Sequence, residues 1–484
     1  EHYITIMRKN RSSLKVLSQL EAINRCTAYQ NMSSLELHSS AGYPYNSWPG
    51  VSHKFPMIKM SPTLKIFDIN RDHSYGKALE RNLSNIWRDL GDGFTPVRVA
   101  VSCLKDEIRP PNKKPRIFDA VAMDVSITDR RLFGAAIAAL TALRHHHPIK
   151  IGIVAQSFEY SILYKHLIGV GPMGFDADFA AWDISQKAYA IKSLSRFYNR
   201  LYREFDPNHD PKDDIRRTAL QNIYASPLLV MNSRIFKVPY KLPTGEPKTA
   251  WDNSLIQLIL QVAVALTLFR KAQMKFTMKR FMRLVRMAIY GDDNISTVHQ
   301  SIASFYNFRS VQESFLELFG MRMTLGDKSD DAPTLIHINN MSFLKRRFIE
   351  VEGVVVGGLE NSCFAKMLNW TRKASWHRYK LAEDVDYEED TIVATARTIV
   401  TEACLRGKVF YEGITKHLKE CDKTYGLGLE VYQSFESVFA STIFDAIDGK
   451  TTIGSPVLEA KSDTEFPTRF STCISILKNY TPIF

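Results

Sequence analysis

The six cysteines of this 484-residue chain, Cys26, Cys103, Cys363, Cys404, Cys421 and Cys473, lie far apart, and none forms a C-x-x-C pair. That spacing signals neither a zinc site nor a disulfide framework, and it fits a reducing compartment. Long apolar runs are scarce as well. The longest uncharged stretch, 253–269, is interrupted by Gln257, Gln261 and Thr267. It falls short of the roughly 20 apolar residues a membrane span needs, so a buried helix and no transmembrane segment are expected. Residues 1–10 carry no basic-then-apolar leader, and the chain shows no repeat, heptad or low-complexity tract. An opening Glu1 in place of Met fits a polyprotein product or a trimmed chain.

Acidic residues are in deficit. Sixty-three Lys and Arg against 51 Asp and Glu leave a net charge of +12, which favours a polyanionic partner, with nucleic acid foremost. No polybasic block adjoins an apolar anchor, so an anionic membrane face ranks second. With 45% hydrophobic and 24% charged residues, wholesale disorder is excluded. The length suits about three domains or lobes.

Proline and glycine recur between residues 39 and 115, which predicts a loop-rich first lobe. Residues 175–179 read as a strand, and Ala188, Ile191, Leu194, Tyr198, Leu201 and Phe205 follow at helical spacing. Residues 228–240 are strand-like and 249–269 helical. Residues 283–290 and 293–298 read as a hairpin closed at Gly291-Asp292, and 343–351 with 354–359 as a second one turning at Glu352-Gly353. Beyond it, a stripe of Ile392, Ala396, Ile399 and Val400 predicts a helical lobe, preceded by an acidic knot at 383–390 that reads as a solvated helix start. His145-His146-His147 reads as a surface run, because successive helical residues point in different directions.

The sharpest local feature is Tyr290-Gly291-Asp292-Asp293 at the tip of the first hairpin. Paired acids in turns are commonly structural, since Asp suits turn geometry. Asp178 at a strand end and Asp183 opening the next helix supply the context. A neighbouring strand would bring Asp178 beside Asp292. Two such charges 4 Å apart repel by about 4 kcal/mol at an effective dielectric of 20, so a cation or a proton must be present. All-oxygen ligation indicates Mg²⁺ or Mn²⁺, and a pair of such ions suits phosphoryl transfer. Asp176 shares the strand face of Asp178.

Taken in order, these stretches resemble the RNA-dependent RNA polymerases of picornavirus-like positive-strand RNA viruses, with an insect-virus branch as the nearest leaning. Ser39-Ser40-Ala41-Gly42-Tyr43-Pro44-Tyr45 is similar to the template-binding motif, and Lys105 to Arg109 with Lys114-Pro115-Arg116 to the basic fingertip motif. Asp178-x4-Asp183, Thr244-Gly245-x3-Thr249-x3-Asn253, Tyr290 to Asp293, Asp327-Lys328 and Phe343-Leu344-Lys345-Arg346 resemble the palm motifs in spacing and order.

The resemblance implies an α+β right-hand fold: fingers over 1–136, palm over 137–223, returning finger strands over 224–243, palm again over 244–350 and a helical thumb over 351–484. It implies two Mg²⁺ ions, with Mn²⁺ an alternative, held by Asp178 and Asp292, with Asp293 and the Phe179 carbonyl assisting, and Lys328 as proton donor to the leaving pyrophosphate. Lys105, Arg109, Lys114 and Arg116 would bind the triphosphate. Asp183 and Asn253 would read the ribose 2′-hydroxyl, supported by Thr249, with helix capping the plain alternative for Asp183. Gly42, with Ser39, Ser40 and Ala41, would approach the template, Thr244 and Gly245 would form a mobile loop, and Lys345 and Arg346 would grip the primer backbone.

Thr244 replaces the usual serine, which restricts χ1. Only about 38 residues precede the template-binding motif, so reduced fingers are expected. The implied partners are template and primer RNA, nucleoside triphosphates, a genome-linked protein primer and other viral replication proteins. The implied location is the host-cell cytoplasm at membrane-associated replication complexes. A reverse transcriptase and a non-catalytic basic RNA-binding protein are the competing readings.

Overall fold

The computed structural model describes residues 1–445 except 62, 64, 106, 108–110, 112, 233, 240, 327–333, 370–390 and 430–432. Arg109, Lys328 and the acidic knot therefore lie outside the described residues.

A central sheet runs in the order Met323–Thr324, Met173–Phe179, Asp293–Val298, Val285–Tyr290, and Ile336–His337 pairs the other end of the Met173–Phe179 strand. The mostly buried strand Val285–Tyr290 gives way to a turn at Gly291, whose φ of +66° is readily adopted without a Cβ. The strand starts at Val285 rather than at residue 283, because a short helix, Met278–Leu284, occupies the preceding turn.

Behind this sheet lies the helix Thr249–Lys271, which buries Trp251, Leu255, Ile256, Leu260, Val264 and Phe269. At 23 residues it is longer than the uncharged stretch and apolar enough to cross a membrane, yet 61% of its most apolar window is packed inside the protein. The expectation of a core helix holds, and the expectation that the stretch is too short does not. Ala188–Phe205 and Pro211–Ala225 pack beside it. The second of these opens on an Asp210 cap followed by proline at its first position.

Another sheet joins Ile117–Ala120, Val99–Leu104, Leu228–Met231 and Arg234–Lys237. Val99–Leu104 pairs Leu228–Met231 in parallel, so a segment more than a hundred residues downstream returns to the sheet of the first lobe. A third sheet stacks Ser342–Phe343, Arg346–Val351 and Val354–Leu359. Its second turn carries Glu352 at φ +50° and Gly353 at φ +75°, the positive-φ pair that a two-residue hairpin demands.

The last described part is helical, with Thr391–Cys404, Lys408–Tyr425 and Phe435–Asp445 packing around Ile399, Leu405, Tyr411 and Phe439 in a core shared with Val351, Val354 and Val356 of the third sheet. His147 departs from the expected surface run. It is buried against Tyr3 and Trp251, and its Nε2 pairs with the Leu140 carbonyl at 3.0 Å.

Candidate active site

Strand register sets the acids side by side. Ala177 pairs Asn294 and Tyr290 pairs Asp293, so Asp178, one residue further along its strand, ends next to the hairpin tip; on its other side it pairs Thr324. The tip is braced from behind by the Thr249–Lys271 helix. The Gly291 amide donates to Ser254 Oγ at 2.8 Å, and Gln257 Nε2 donates to the Asp292 carbonyl at 3.2 Å. These polar residues on an apolar helix were the one readable sign of that brace.

The carboxylates feel one another. Burial raises the Asp292 carboxyl above its ordinary value, and Asp178 and Asp183 push it further, with Arg116 opposing. The Asp292 side chain reaches solvent at the tip. Burial pushes Asp293 up to about 7, with Asp292, Asp178 and Asp176 adding and the Leu344 amide opposing through a 2.7 Å hydrogen bond to Oδ2.

Such mutual repulsion is relieved by a divalent cation, and the donor set suits a hard one. Among the described residues no three His, Cys, Asp or Glu side chains form a ready-made metal cage. The Phe179 ring is buried against Trp182 and Phe315, leaving its backbone beside Asp178 at the strand end. Asp176 acts elsewhere. Its Oδ2 accepts from the Ser342 amide at 2.8 Å, tying the third sheet to the central one.

Asp183 lies in the first turn of Trp182–Ser185 but does not cap it. The cap position is Ala181 in the left-handed region at φ +54°, so the capping alternative fails. Asn253 Oδ1 accepts from Trp182 Nε1 at 3.0 Å and from Gln186 Nε2 at 3.4 Å, which ties the Asn253 turn to the Asp183 helix. Neither Trp182 nor Gln186 was singled out from the sequence. Thr249 Oγ1 donates to the Glu246 carbonyl at 2.6 Å, folding the preceding loop onto the helix start.

That loop docks on the finger sheet. Thr244 Oγ1 accepts from the Asp119 amide at 2.8 Å, and a Cβ on Gly245 would stand 2.2 Å from the Asp119 carbonyl oxygen. Gly42 meets protein rather than space left for a strand: its φ is +68° and a Cβ there would lie 2.4 Å from the Val121 carbonyl oxygen. Ala41 accepts from the Met123 amide, while buried Lys54 donates to the carbonyls of Ser39 at 3.3 Å and Ser40 at 3.1 Å. Burial lowers the Lys54 ammonium to about 8.

Lys105 and Arg116 close the base of the loop between Val99–Leu104 and Ile117–Ala120 through a 2.8 Å backbone bond. Lys105, Lys114 and Arg116 are exposed, with Arg116 Nε 3.5 Å from Glu107. Lys345 is exposed at a tight turn, where it and Leu344 have φ of +59° and +55°. Arg346 differs from the expectation. Its side chain is buried and forms a two-pronged ion pair with Glu402, so its charge is spent on the helical lobe and not on a primer phosphate.

Comparison with known proteins agrees with this architecture. Residues 4–421 match the family model for viral RNA-dependent RNA polymerase. The chain is 24% identical over 429 residues, 85% of its own length, to the genome polyprotein of Rice tungro spherical virus (strain A), and covers 12% of that polyprotein. It is 30% identical over 284 residues, 57% of its length, to the genome polyprotein of Human hepatitis A virus genotype IIA, again covering 12%. The solved Sicinivirus 3Dpol RNA dependent RNA polymerase superposes with a TM-score of 0.71 at 17% identity, covering 91% of this chain and 84% of that one. The chain belongs to the viral RNA-dependent RNA polymerase family, with the right-hand polymerase fold. It spans only about an eighth of each of these two polyprotein relatives.

Proposed function

We propose that this chain copies an RNA template by transferring ribonucleotides to a primer 3′-hydroxyl with release of pyrophosphate. The observation that carries this reading is the strand register that brings Asp178 to the Asp292-Asp293 hairpin tip at one end of the central sheet. Two Mg²⁺ ions, or Mn²⁺, bound there would lower the pKa of the attacking hydroxyl and neutralise charge on the phosphates. Asp178 and Asp292 would hold them, Asp293 would orient the hairpin through the Leu344 amide, and the Phe179 carbonyl would offer a further oxygen.

On this reading Lys105, Arg109, Lys114 and Arg116 hold the triphosphate, and Lys328 donates a proton to pyrophosphate. Asp183, Asn253 and Thr249 meet the ribose, so a deoxynucleotide leaves polar groups unpaired. Lys345 contacts the primer backbone. Exposed Lys105, Lys114, Arg116 and Lys345 and the +12 net charge support an RNA partner. A genome-linked protein primer, other viral replication proteins and a site at membrane-associated complexes in the host cytoplasm rest on the family resemblance.

The test is extension of a labelled RNA primer-template by purified protein with Mg²⁺ or Mn²⁺, comparing ribonucleotides with deoxyribonucleotides. Extension with ribonucleotides, abolished in Asp292→Ala while RNA affinity holds, is expected. Normal RNA binding without extension would favour a non-catalytic RNA-binding protein, and a preference for deoxyribonucleotides would favour a reverse transcriptase.

A further inference from the structure

Just behind the Thr244–Gly245 loop sits a buried group of charges that none of the roles above uses. Glu246, Lys248, Asp252 and Asp129 are each at most 4% exposed. The Lys248 ammonium contacts Glu246, lies 2.8 Å from Asp252 Oδ2 and 3.4 Å from Asp129 Oδ2, and sits over the rings of Tyr224 and Phe133 at 4.4 and 4.8 Å. Tyr198 donates to Asp252 Oδ1 at 2.8 Å and Gln221 to Asp252 Oδ2 at 3.0 Å. Four helices and the loop thus converge on one ammonium.

Three carboxylates around a single cation cannot all be charged without leaving buried charge uncompensated. Such crowding favours protonation of one carboxylate as pH falls. Burial drives the Asp129 carboxyl upward, with Asp252 adding and Lys248 opposing, which marks Asp129 as its seat. The other groups facing Asp129 are Tyr224, Tyr198 and, on its own helix, Arg130, and beyond Tyr224 lies Asp124, which is paired with Arg98 at 3.0 Å.

Position gives the cluster its consequence. Glu246 and Lys248 follow Gly245 by one and three residues, Lys248 is the residue before the first turn of the Thr249–Lys271 helix, and Asp252 adjoins Asn253. The loop is held on its other side by the Asp119 amide. Its geometry is therefore fixed between the finger sheet and the cluster.

We propose that Glu246, Lys248, Asp252 and Asp129 are positioning residues, which lock the Thr244–Gly245 loop to the Asn253 turn and so set how strictly the site demands a ribose 2′-hydroxyl. This rests on the polymerase reading above. Losing the Asp129 proton adds a second uncompensated charge and loosens the lock, so discrimination against deoxynucleotides falls as pH rises.

The experiment measures kcat and KM for a ribonucleotide and its deoxy counterpart in primer extension between pH 5.5 and 8.5, alongside RNA affinity. Lys248→Gln is expected to cut discrimination about tenfold, through a higher KM for the ribonucleotide with RNA affinity retained. Lys248→Arg should restore part of it, and Asp129→Asn should flatten the pH dependence. Where Lys248→Gln does not fold, Tyr198→Phe, which removes only the hydrogen bond to Asp252, carries the test with a smaller loss. Discrimination and pH profile unchanged in Asp129→Asn and in the folded Lys248→Gln or Tyr198→Phe protein would overturn the proposal while leaving the polymerase reading intact. Wild-type protein that extends no primer would overturn both.

Discussion

Arg346 and Glu402 face each other through two 2.7 Å hydrogen bonds, joining the turn after Phe343 to the helix Thr391–Cys404. Arg346 also donates to the Gly357 carbonyl, and Gln156 donates to Glu402. The Leu344 amide in the same turn holds Asp293, so the acidic tip and the helical lobe share one short connection. Glu402→Ala should therefore destabilise the protein by about 3–5 kcal/mol, the usual cost of stranding one partner of a buried pair. Denaturant unfolding checks this, and a loss under about 1 kcal/mol would refute the pairing.

Lys345, next in the chain to Arg346, is expected to behave in the opposite way. Lys345→Ala should leave stability within about 0.5 kcal/mol of wild type and reduce the salt dependence of RNA affinity by about one phosphate contact. An unchanged salt slope would remove Lys345 from the RNA path.

The Asp293 carboxyl, pushed up to about 7, gives a pH dependence with a definite sign. An unfolded Asp titrates near 3.9, so between about pH 4 and 7 the folded protein holds a proton that the unfolded chain has released. This group's contribution to stability is full below about pH 4 and falls as pH rises through 7. Thermal melts in chelator should show wild type losing ground to Asp293→Asn across that window, with Mg²⁺ recovering it at pH 7.5. Parallel curves would show that Asp293 does not titrate there.

Close backbone contacts give a fourth prediction. Gly245→Ala places a Cβ 2.2 Å from a carbonyl oxygen, and Gly42→Ala adds positive φ to a 2.4 Å clash, so each should cost about 1–3 kcal/mol or more. Gly413→Ala, mid-helix with nothing within 4 Å, should instead stabilise by about 0.5–1 kcal/mol. Equal effects at all three positions would contradict the docking of the Thr244–Gly245 loop on Asp119.

Local pattern made much of the fold legible. The helix from Ala188 to Phe205, the hairpin at Gly291-Asp292 and the turn at Glu352-Gly353 follow from apolar periodicity and turn chemistry, which are properties of neighbouring residues. What stayed hidden depends on partners distant in sequence. Nothing near Arg346 signals Glu402, and nothing near Gly42 signals the Val121 carbonyl. Nothing in the sequence singles out Lys248, because its three carboxylate partners include one from position 129. Capping stood as the alternative role for Asp183, because a left-handed Ala181 is not readable from composition.

The central claim is that Asp178 and Asp292 hold divalent cations together. Titrating Mn²⁺ into the RNA-bound protein with a non-hydrolysable nucleotide, read by electron paramagnetic resonance, tests it most directly. Two ions in wild type, with tight binding lost in both Asp178→Ala and Asp292→Ala while RNA stays bound, is the predicted result. Stoichiometry and affinity unchanged in both variants would contradict it.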